Sequence, residues 1–287
     1  MQLTEQQLRF FKTFGYLALR GLFRDEVDAL NDAFREVWTA NGGGLDGAAD
    51  DLNERLTVVV PFIDQHPFLC SLLDDPRVLG IGSSICGEDF NYMTSDGNVY
   101  SGDTPWHSDT SWGAKLPIKT AFYLDPLNAA SGSLRVIPGS HHKGGRFWRM
   151  LGAVDYYRTP LDERGSLPEK TWGLSGAEVP SVALETEPGD VLVFNHEIKH
   201  ASFGGGTRRR MFTINMQARQ PDDDLEPVRK SVANLSRHEM ERAYGDVMLQ
   251  TASPERMRHL EQRLANDGHL AALSAKVRAE RQQAAGG

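Results

Sequence analysis

His107 and Asp109 stand two residues apart in Thr104-Pro105-Trp106-His107-Ser108-Asp109, and a second histidine, His200, follows a β-like run well downstream. Two imidazoles and one carboxylate on one face of an octahedron leave three positions open, the arrangement of iron(II) enzymes that must hold an oxo acid and O2 together. In a strand, residues two apart project from the same face, so His107 and Asp109 can reach one ion. The triplet alone is a weak signal, because His-x-Asp arises by chance in many chains. The run Arg208-Arg209-Arg210, which leads directly into the apolar stretch Met211–Met216, gives it weight. A guanidinium is permanently charged and pairs two-pronged with a carboxylate, as the far end of an oxo diacid requires.

The other histidines read differently. His196 lies close before His200 and is the alternative third ligand. His141 and His142 follow the turn Pro138-Gly139-Ser140 and read as structural or as supports for the ligands. His66, His238, His259 and His269 fall in helical or loop regions away from the motif and read as ordinary histidines. Trp106, Trp112, Trp148 and Trp172 suit a core as well as a substrate box. Of these, Trp112, just past the metal triplet, and Trp148 are the candidates for substrate contact. On the preceding strand, Asn98 is a candidate to touch the oxo acid and Tyr100 the substrate.

Elements that can position these residues follow from the hydrophobic pattern. Thr4 with Gln7 is a capping box, and Leu8, Phe10, Phe11 and Phe14 continue it at roughly helical spacing. Gly15 to Leu19 reads as a short strand. Val27, Leu30, Phe34 and Val37 mark a core-facing stripe on a helix from about Asp25 to Trp38. Between about Asn91 and Met216 short β-like runs alternate with Gly, Pro, Asn and Asp: Asn98–Tyr100, Ile118–Leu124, Leu134–Ile137, Val182–Leu184, Val191–Phe194 and Met211–Met216. Such spacing points to a sandwich or barrel. The segment from Ser140 to Pro180, with Phe147, Trp148, Tyr156, Tyr157 and Trp172 among glycines, reads as a lid or as a surface insertion. Helices are expected over Ser236–Met248 and Ser253–Ala265, with a fraying tail beyond Gly268.

Taken together, FGYLALRGLF, WHSD, SGSLRVIPGSHH, GDVLVFNHEIKHAS and RRRMFTIN resemble the phytanoyl-CoA dioxygenase family of 2-oxoglutarate oxygenases, from about Leu3 to Gln217. The resemblance implies a mainly β fold with flanking helices, a double-stranded β-helix or jelly roll of the cupin kind. It implies Fe(II), 2-oxoglutarate and O2 as cofactor and co-substrates, with His107, Asp109 and His200 as the iron ligands. By position, Ser202 matches a residue that hydrogen-bonds 2-oxoglutarate, and Arg209 matches the arginine that anchors it. Arg210 is the alternative, since it alternates onto the same face as Phe212, Ile214 and Met216. In the family's fold, however, the large apolar face packs on helices, and Arg209, Thr213 and Asn215 fit the inner face. Gly204-Gly205-Gly206 makes the connection from His200 to the arginines shorter than is common in the family. The presence of Asp109 disfavours a halogenase, which lacks the carboxylate.

The 287 residues are read as one oxygenase domain, 1–287, with N-terminal helices over 1–60, a jelly-roll core over about 90–217, an insertion at 140–180 and C-terminal helices over 222–285. Net charge −8 argues against nucleic acid as partner. No run of about eighteen apolar residues exists to cross a membrane, and the N-terminus lacks the pattern of a secretory signal. With Cys70 and Cys86 as the only cysteines, two thiols in a reducing cytoplasm are expected rather than a disulfide framework. The expected partner is a small-molecule substrate of specialised metabolism, polar or cationic, and the oligomeric state is left open. Hydroxylation, desaturation and ring closure need the same apparatus. A non-oxidative binding protein of cupin type and a metal-dependent hydrolase are the competing functions.

Overall fold

A computed structural model of the chain describes residues 1–43, 58–109, 113–151, 166–205 and 208–285. The capping box forms: Thr4 Oγ1 accepts from the Gln7 amide at 3.2 Å and Gln7 Oε1 from the Thr4 amide at 2.9 Å. It opens α1 (Glu5–Phe14), which Gly15 ends in the left-handed conformation that glycine adopts at no steric cost. The chain continues through β1 (Tyr16–Leu19), α2 (Val27–Ala40), β2 (Val58–Val59), α3 (Pro67–Ser71) and α4 (Pro76–Cys86). Then come β3 (Asn91–Thr94), β4 (Gly97–Tyr100), β5 (Thr104–His107), β6 (Ile118–Tyr123) and β7 (Leu134–Val136). Two short helices, α5 (Arg146–Leu151) and α6 (Leu167–Trp172), precede β8 (Val182–Leu184), β9 (Val191–Asn195), β10 (His200–Ser202) and β11 (Arg209–Gln217). The C-terminal part is helical: α7 (Glu226–Ala233), α8 (Asp246–Gln250), α9 (Pro254–Arg258), α10 (Glu261–Leu264) and α11 (Leu270–Ala285).

The strands form two antiparallel sheets. The larger runs β1-β9-β6-β11-β4-β2, with β3 also on β11, and the smaller runs β5-β10-β7-β8. The arrangement is the expected jelly roll. Alternation along each strand divides the core in two. Phe122, Val191, Val193, Phe212, Ile214 and Met216 face outward and pack with Phe11, Phe34, Trp38, Leu69 and Ile81 of the helices. Ala121, Tyr123, Leu192, Phe194 and Met211 face inward and meet Leu134, Val136 and Leu184 of the smaller sheet. The outer face of the smaller sheet is closed by Leu151 and Val179, which pack with Trp106, Ile137 and Ala201. The described ends of the segment 140–180 therefore rest on the outside of the barrel; Tyr156 and Tyr157 lie outside the described residues.

Three expectations for the C-terminal part are corrected. The helix expected over Ser236–Met248 is instead a 3-10 turn, Asn234–His238, followed by the short α8. Between them Glu239 takes φ 59°, the Tyr244 hydroxyl donates to Tyr92 O at 2.5 Å, and the Gly245 amide donates to Asp64 Oδ2 at 3.1 Å. A tertiary bond thus claims the Gly245 amide, which a continuous helix would have used, and the Tyr244 side chain ties the turn to β3. Ser253 caps as expected, accepting from the Arg256 amide at 2.9 Å, but the helix breaks after Arg258. The His259 carbonyl accepts from Tyr92 N at 3.0 Å, which ties the break to β3. Where a fraying tail was expected, the described residues are helical: α11 runs to Ala285, buries Leu270, and is held by Ser274 bonding Met240 O and by Arg278 pairing with Glu241 at 2.6 Å.

Phe212 is fully buried and stacks on Phe122 with centroids 4.7 Å apart. Phe212→Ala is expected to lower unfolding stability by about 3–5 kcal/mol. Arg210→Ala, which removes a half-buried pair with Asp125, should cost under about 1 kcal/mol. Urea denaturation of the two variants measures the difference.

Candidate active site

β5 and β10 pair with His200 opposite His107 and Ser202 opposite Thr104, so β5 carries one extra residue between the two pairs. This bulge turns Thr104 and His107 inward although they are three positions apart. It sends Trp106 outward, where its indole donates to Gly176 O at 2.8 Å. β5 is an edge strand, so Pro105 breaks no central ladder. His107 is the last residue of the strand and Asp109 lies beyond it. The expectation that both share a strand face is corrected: Asp109 reaches the site on a connection pinned to the turn before β10. Its amide donates to His196 O at 2.8 Å, and Ser108 Oγ to Glu197 O at 2.9 Å.

His107, Asp109 and His200 bring one ligand atom each to within 4.8 Å of one another. Asp109 Oδ1 lies 4.0 Å from His107 Nε2 and 3.9 Å from His200 Nε2. Each imidazole spends Nδ1 on a carbonyl, Pro105 O at 2.8 Å and Ile198 O at 3.0 Å. That bond places the proton on Nδ1 and leaves Nε2 with its lone pair toward the other ligands. Burial lowers the pKa of both imidazoles, that of His200 to about 3, so both are neutral as a metal requires. Burial alone would raise the Asp109 pKa, but the neighbouring Lys119 ammonium outweighs it and holds the carboxylate ionised. Lys119 Nζ sits 2.8 Å from Asp109 Oδ2, which leaves Oδ1 for the ion. The donor set and its orientation fit iron(II).

Arg209 settles the choice of inner face. It opens β11 opposite Tyr100, is 3% exposed, and lines a cavity of about 100 Å³ with His107, Asp109, His200 and Ser202. Its guanidinium donates to Gly102 O at 2.9 Å and Gly132 O at 3.2 Å, and no carboxylate pairs with it among the described residues. A Cβ on Gly132 or Gly205 would meet Nη1 at 1.6 or 1.7 Å, so the Gly204-Gly205 stretch that shortens the connection also makes room for this side chain. Arg210 turns outward onto Asp125 at 2.6 Å. A buried guanidinium beside the ligand set, bonded to neutral carbonyls only, fits the far carboxylate of 2-oxoglutarate.

A second cavity, of about 450 Å³, reaches Asp109 and Lys119 from the side of the C-terminal helices. Tyr100 lines both cavities, but Asn98 lines only the larger one and bonds Asp96 at 2.7 Å, away from Arg209. His196 is not in the ligand set; its Nε2 bonds Asn215 Oδ1 at 3.1 Å. His141 and His142 bond carbonyls at the end of α1. Trp148 lies half-buried on α5 and lines neither cavity, and Trp112 falls outside the described residues. His238, read as an ordinary histidine, lines the larger cavity. Sequence reading also passed over Lys119 and Asp96. Lys119 carried a signal, as a lone cation in the apolar run Ile118–Leu124.

The profile of the phytanoyl-CoA dioxygenase family, PhyH, matches residues 11–212. The chain belongs to this family, and it is an iron(II)- and 2-oxoglutarate-dependent dioxygenase. A curated relative, the 2-aminoethylphosphonate dioxygenase of uncultured bacterium HF130_AEPn_1, is 25% identical over 228 residues, 73% of this chain and 80% of its own. Among solved structures, the α-ketoglutarate-dependent carbocyclase SnoK from nogalamycin biosynthesis superposes with TM-score 0.57 at 23% identity, covering 75% of this chain and 84% of its own. EctD from S. alaskensis with 2-oxoglutarate and 5-hydroxyectoine gives 0.54 at 21%, covering 75% and 76%. HygX from Streptomyces hygroscopicus with nickel and 2-oxoglutarate gives 0.56 at 17%, covering 75% and 87%.

Because the three candidate ligands sit on a preformed scaffold, His107→Ala and Asp109→Ala are each expected to abolish iron binding and turnover while the protein stays folded. Iron content after reconstitution, read beside the thermal unfolding curve, tests this. Iron-dependent turnover in both variants would remove these ligands from the site.

Proposed function

We propose that His107 Nε2, Asp109 Oδ1 and His200 Nε2 hold the iron, that 2-oxoglutarate occupies the smaller cavity, and that a small-molecule substrate enters the larger one. Arg209 and Ser202 would bind the far carboxylate of the co-substrate. The observation that carries this reading is the Arg209 guanidinium, buried in the ligand cavity without a carboxylate partner among the described residues. When bound, iron(II) supplies the O2 activation that couples decarboxylation of 2-oxoglutarate, with release of succinate and CO2, to oxidation of the substrate.

The chain's own residues orient and exclude. The Nδ1 bonds of His107 and His200 fix both ring planes, Lys119 holds Asp109 to one free oxygen, and the apolar inner faces around Phe194, Leu134 and Met211 keep water from the co-substrate. Hydroxylation, desaturation and ring closure all draw on this apparatus. We read the whole chain as one oxygenase domain acting in the cytoplasm, a setting suited to the buried free thiols Cys70 and Cys86. Specialised-metabolism amines and amino-acid derivatives head the substrate screen, joined by 2-aminoethylphosphonate from the curated relative.

Succinate release from 2-oxoglutarate with added iron(II) is the assay. Arg209→Ala should raise the 2-oxoglutarate requirement roughly ten- to more than a hundredfold, the ~1.5–3 kcal/mol of a charged hydrogen bond, and Arg210→Ala should leave it nearly unchanged. Succinate forming equally without iron, or a larger effect from Arg210→Ala, would overturn the assignment.

A further inference from the structure

The two walls of the larger cavity carry opposite chemistry. On the barrel side the polar groups present acceptors. Asp96 Oδ1 accepts from Thr213 Oγ1 at 2.6 Å and Asn215 Nδ2 at 3.2 Å, and Oδ2 from Asn98 Nδ2 at 2.7 Å. All three donors are neutral, so they stabilise the charge without cancelling it. Lys119 is the nearby cation, and its ion pair is made with Asp109. Against burial, which would raise the Asp96 pKa, its charge also helps lower it, so two carboxylates share one cation. The same chain of bonds fixes His196. Asn215 gives its Nδ2 to Asp96, so its Oδ1 must accept from His196 Nε2. His196 Nδ1 is left as a lone pair, buried and unpartnered. This wall asks for an N–H donor, best a cationic one.

The opposite wall, from α7, the turn Asn234–His238 and α10, presents donors: Ser231, Arg237, His238 and Arg263. Arg237 Nε donates to His238 Nε2 at 2.9 Å, which puts the imidazole hydrogen on Nδ1. Burial and then Arg237 lower the His238 pKa to about 4, so the ring is a neutral donor. Arg263 is 1% exposed, donates to Ser231 Oγ at 2.8 Å, and keeps Nε unpartnered. Among the described residues neither Arg237 nor Arg263 pairs with a carboxylate. Of the other arginines of the same helical region, Arg256, Arg258, Arg278 and Arg281 pair with Asp74, Glu255, Glu241 and Glu239. Arg229 and Arg242 do not, but both are exposed and line neither cavity. In a chain of net charge −8, two guanidinium groups left without carboxylates at one cavity wall mark a place for an external anion.

We propose that this cavity binds a compact amphoteric metabolite, with its amine toward Asp96 and His196 beside the metal site and its anionic group against Arg237, His238 and Arg263. The inference rests on the functional reading above and names the substrate class of that site. A volume of about 450 Å³ is within the range of small-molecule pockets. The walls meet different ends of one molecule, so a compound with a single charge satisfies half the site and leaves the other half to water.

The test uses the full chain loaded with iron(II) and 2-oxoglutarate without O2. Its chelate absorbance, formed before any probe is added, reports the metal site; if the band does not form, the functional reading has failed rather than the substrate class. Dissociation constants are then measured by ligand-observed NMR for 4-aminobutyrate and 3-aminopropylphosphonate, against butylamine, butyrate and propylphosphonate. At least one amphoteric probe should bind about tenfold or more tightly than both of its single-charge counterparts. Arg237→Ala, at an exposed position that tolerates truncation, should erase its advantage over butylamine while butylamine binding stays put. Asp96→Asn should erase the advantage over the anion and leave the anion unmoved. Equal binding by all probes, or a preference that survives both substitutions, overturns the proposal.

Discussion

β11 is buried on both faces, and each face meets a different demand. Toward the helices it must offer close-packing apolar volume, which Phe212, Ile214 and Met216 supply. Toward the barrel interior it must offer an anchor and polar supports, which Arg209, Thr213 and Asn215 supply. Side chains alternate with a period of two, so the two sets cannot be adjusted independently. A slip of one residue would drive Phe212 into the ligand cavity and Arg209 under the helices. The helical packing that stabilises the sheet is therefore also what holds the arginine at the mouth of the site. β6 obeys the same rule, with Ile118 and Phe122 outward and Lys119, Ala121 and Tyr123 inward.

The interior pays for this register in desolvated charge. Asp96, Asp109, Lys119 and Arg209 all lie within the sandwich, and an ion taken out of water there costs several kcal/mol unless paired and hydrogen-bonded. Lys119 meets Asp109 directly, Asp96 is met by three neutral donors, and Arg209 has only carbonyls. The cost is least offset at Arg209, where the co-substrate would supply the missing carboxylate. Lys119 lines both cavities, as does the Asp109 carboxylate it restrains. Removing it would leave Asp109 buried without its cation, a change felt at the metal and in either cavity.

Much of this was legible in the chain because the strands carry their own periodicity. Met211–Met216 told both faces of β11, and the capping box at Thr4, the strand at Tyr16 and the stripe on α2 formed as read. The three candidate ligands were legible as a chemical set rather than as a geometry, since the bulge in β5 and the pinned connection to Asp109 depend on partners from the turn before β10. The C-terminal part was misread where long-range bonds decide. Tyr244, Gly245 and His259 commit groups to Asp64 and β3, and local helix signals contain no trace of those partners. His238 and Asp96 were missed for the same reason. Nothing near either residue in the sequence shows that a barrel strand and a C-terminal turn face one another across a cavity.

The division between the cavities follows a boundary in the chain. The proposed ligands, Arg209, Ser202 and Lys119 all fall within residues 11–212, the span shared with the family profile. Arg237, His238 and Arg263 fall after it. The turn that carries Arg237 and His238 packs through Val228, Val232, Leu235, Met240 and Leu270, whereas Arg263 is on α10, beside Leu260 and Leu264 of the main core. The part of the wall built on that separate apolar cluster, Arg237 and His238, can change its polar groups without disturbing the register of β11 or the bonds that orient His107 and His200. Metal and co-substrate chemistry is thus tied to the sheet, where a change at one position shifts its neighbours. Recognition of the far end of the substrate is tied to the helices, where single side chains can be exchanged. One barrel can in this way keep its reaction and acquire a different substrate, because Arg237 and His238 stand on a packing unit other than the one that sets the register of β11.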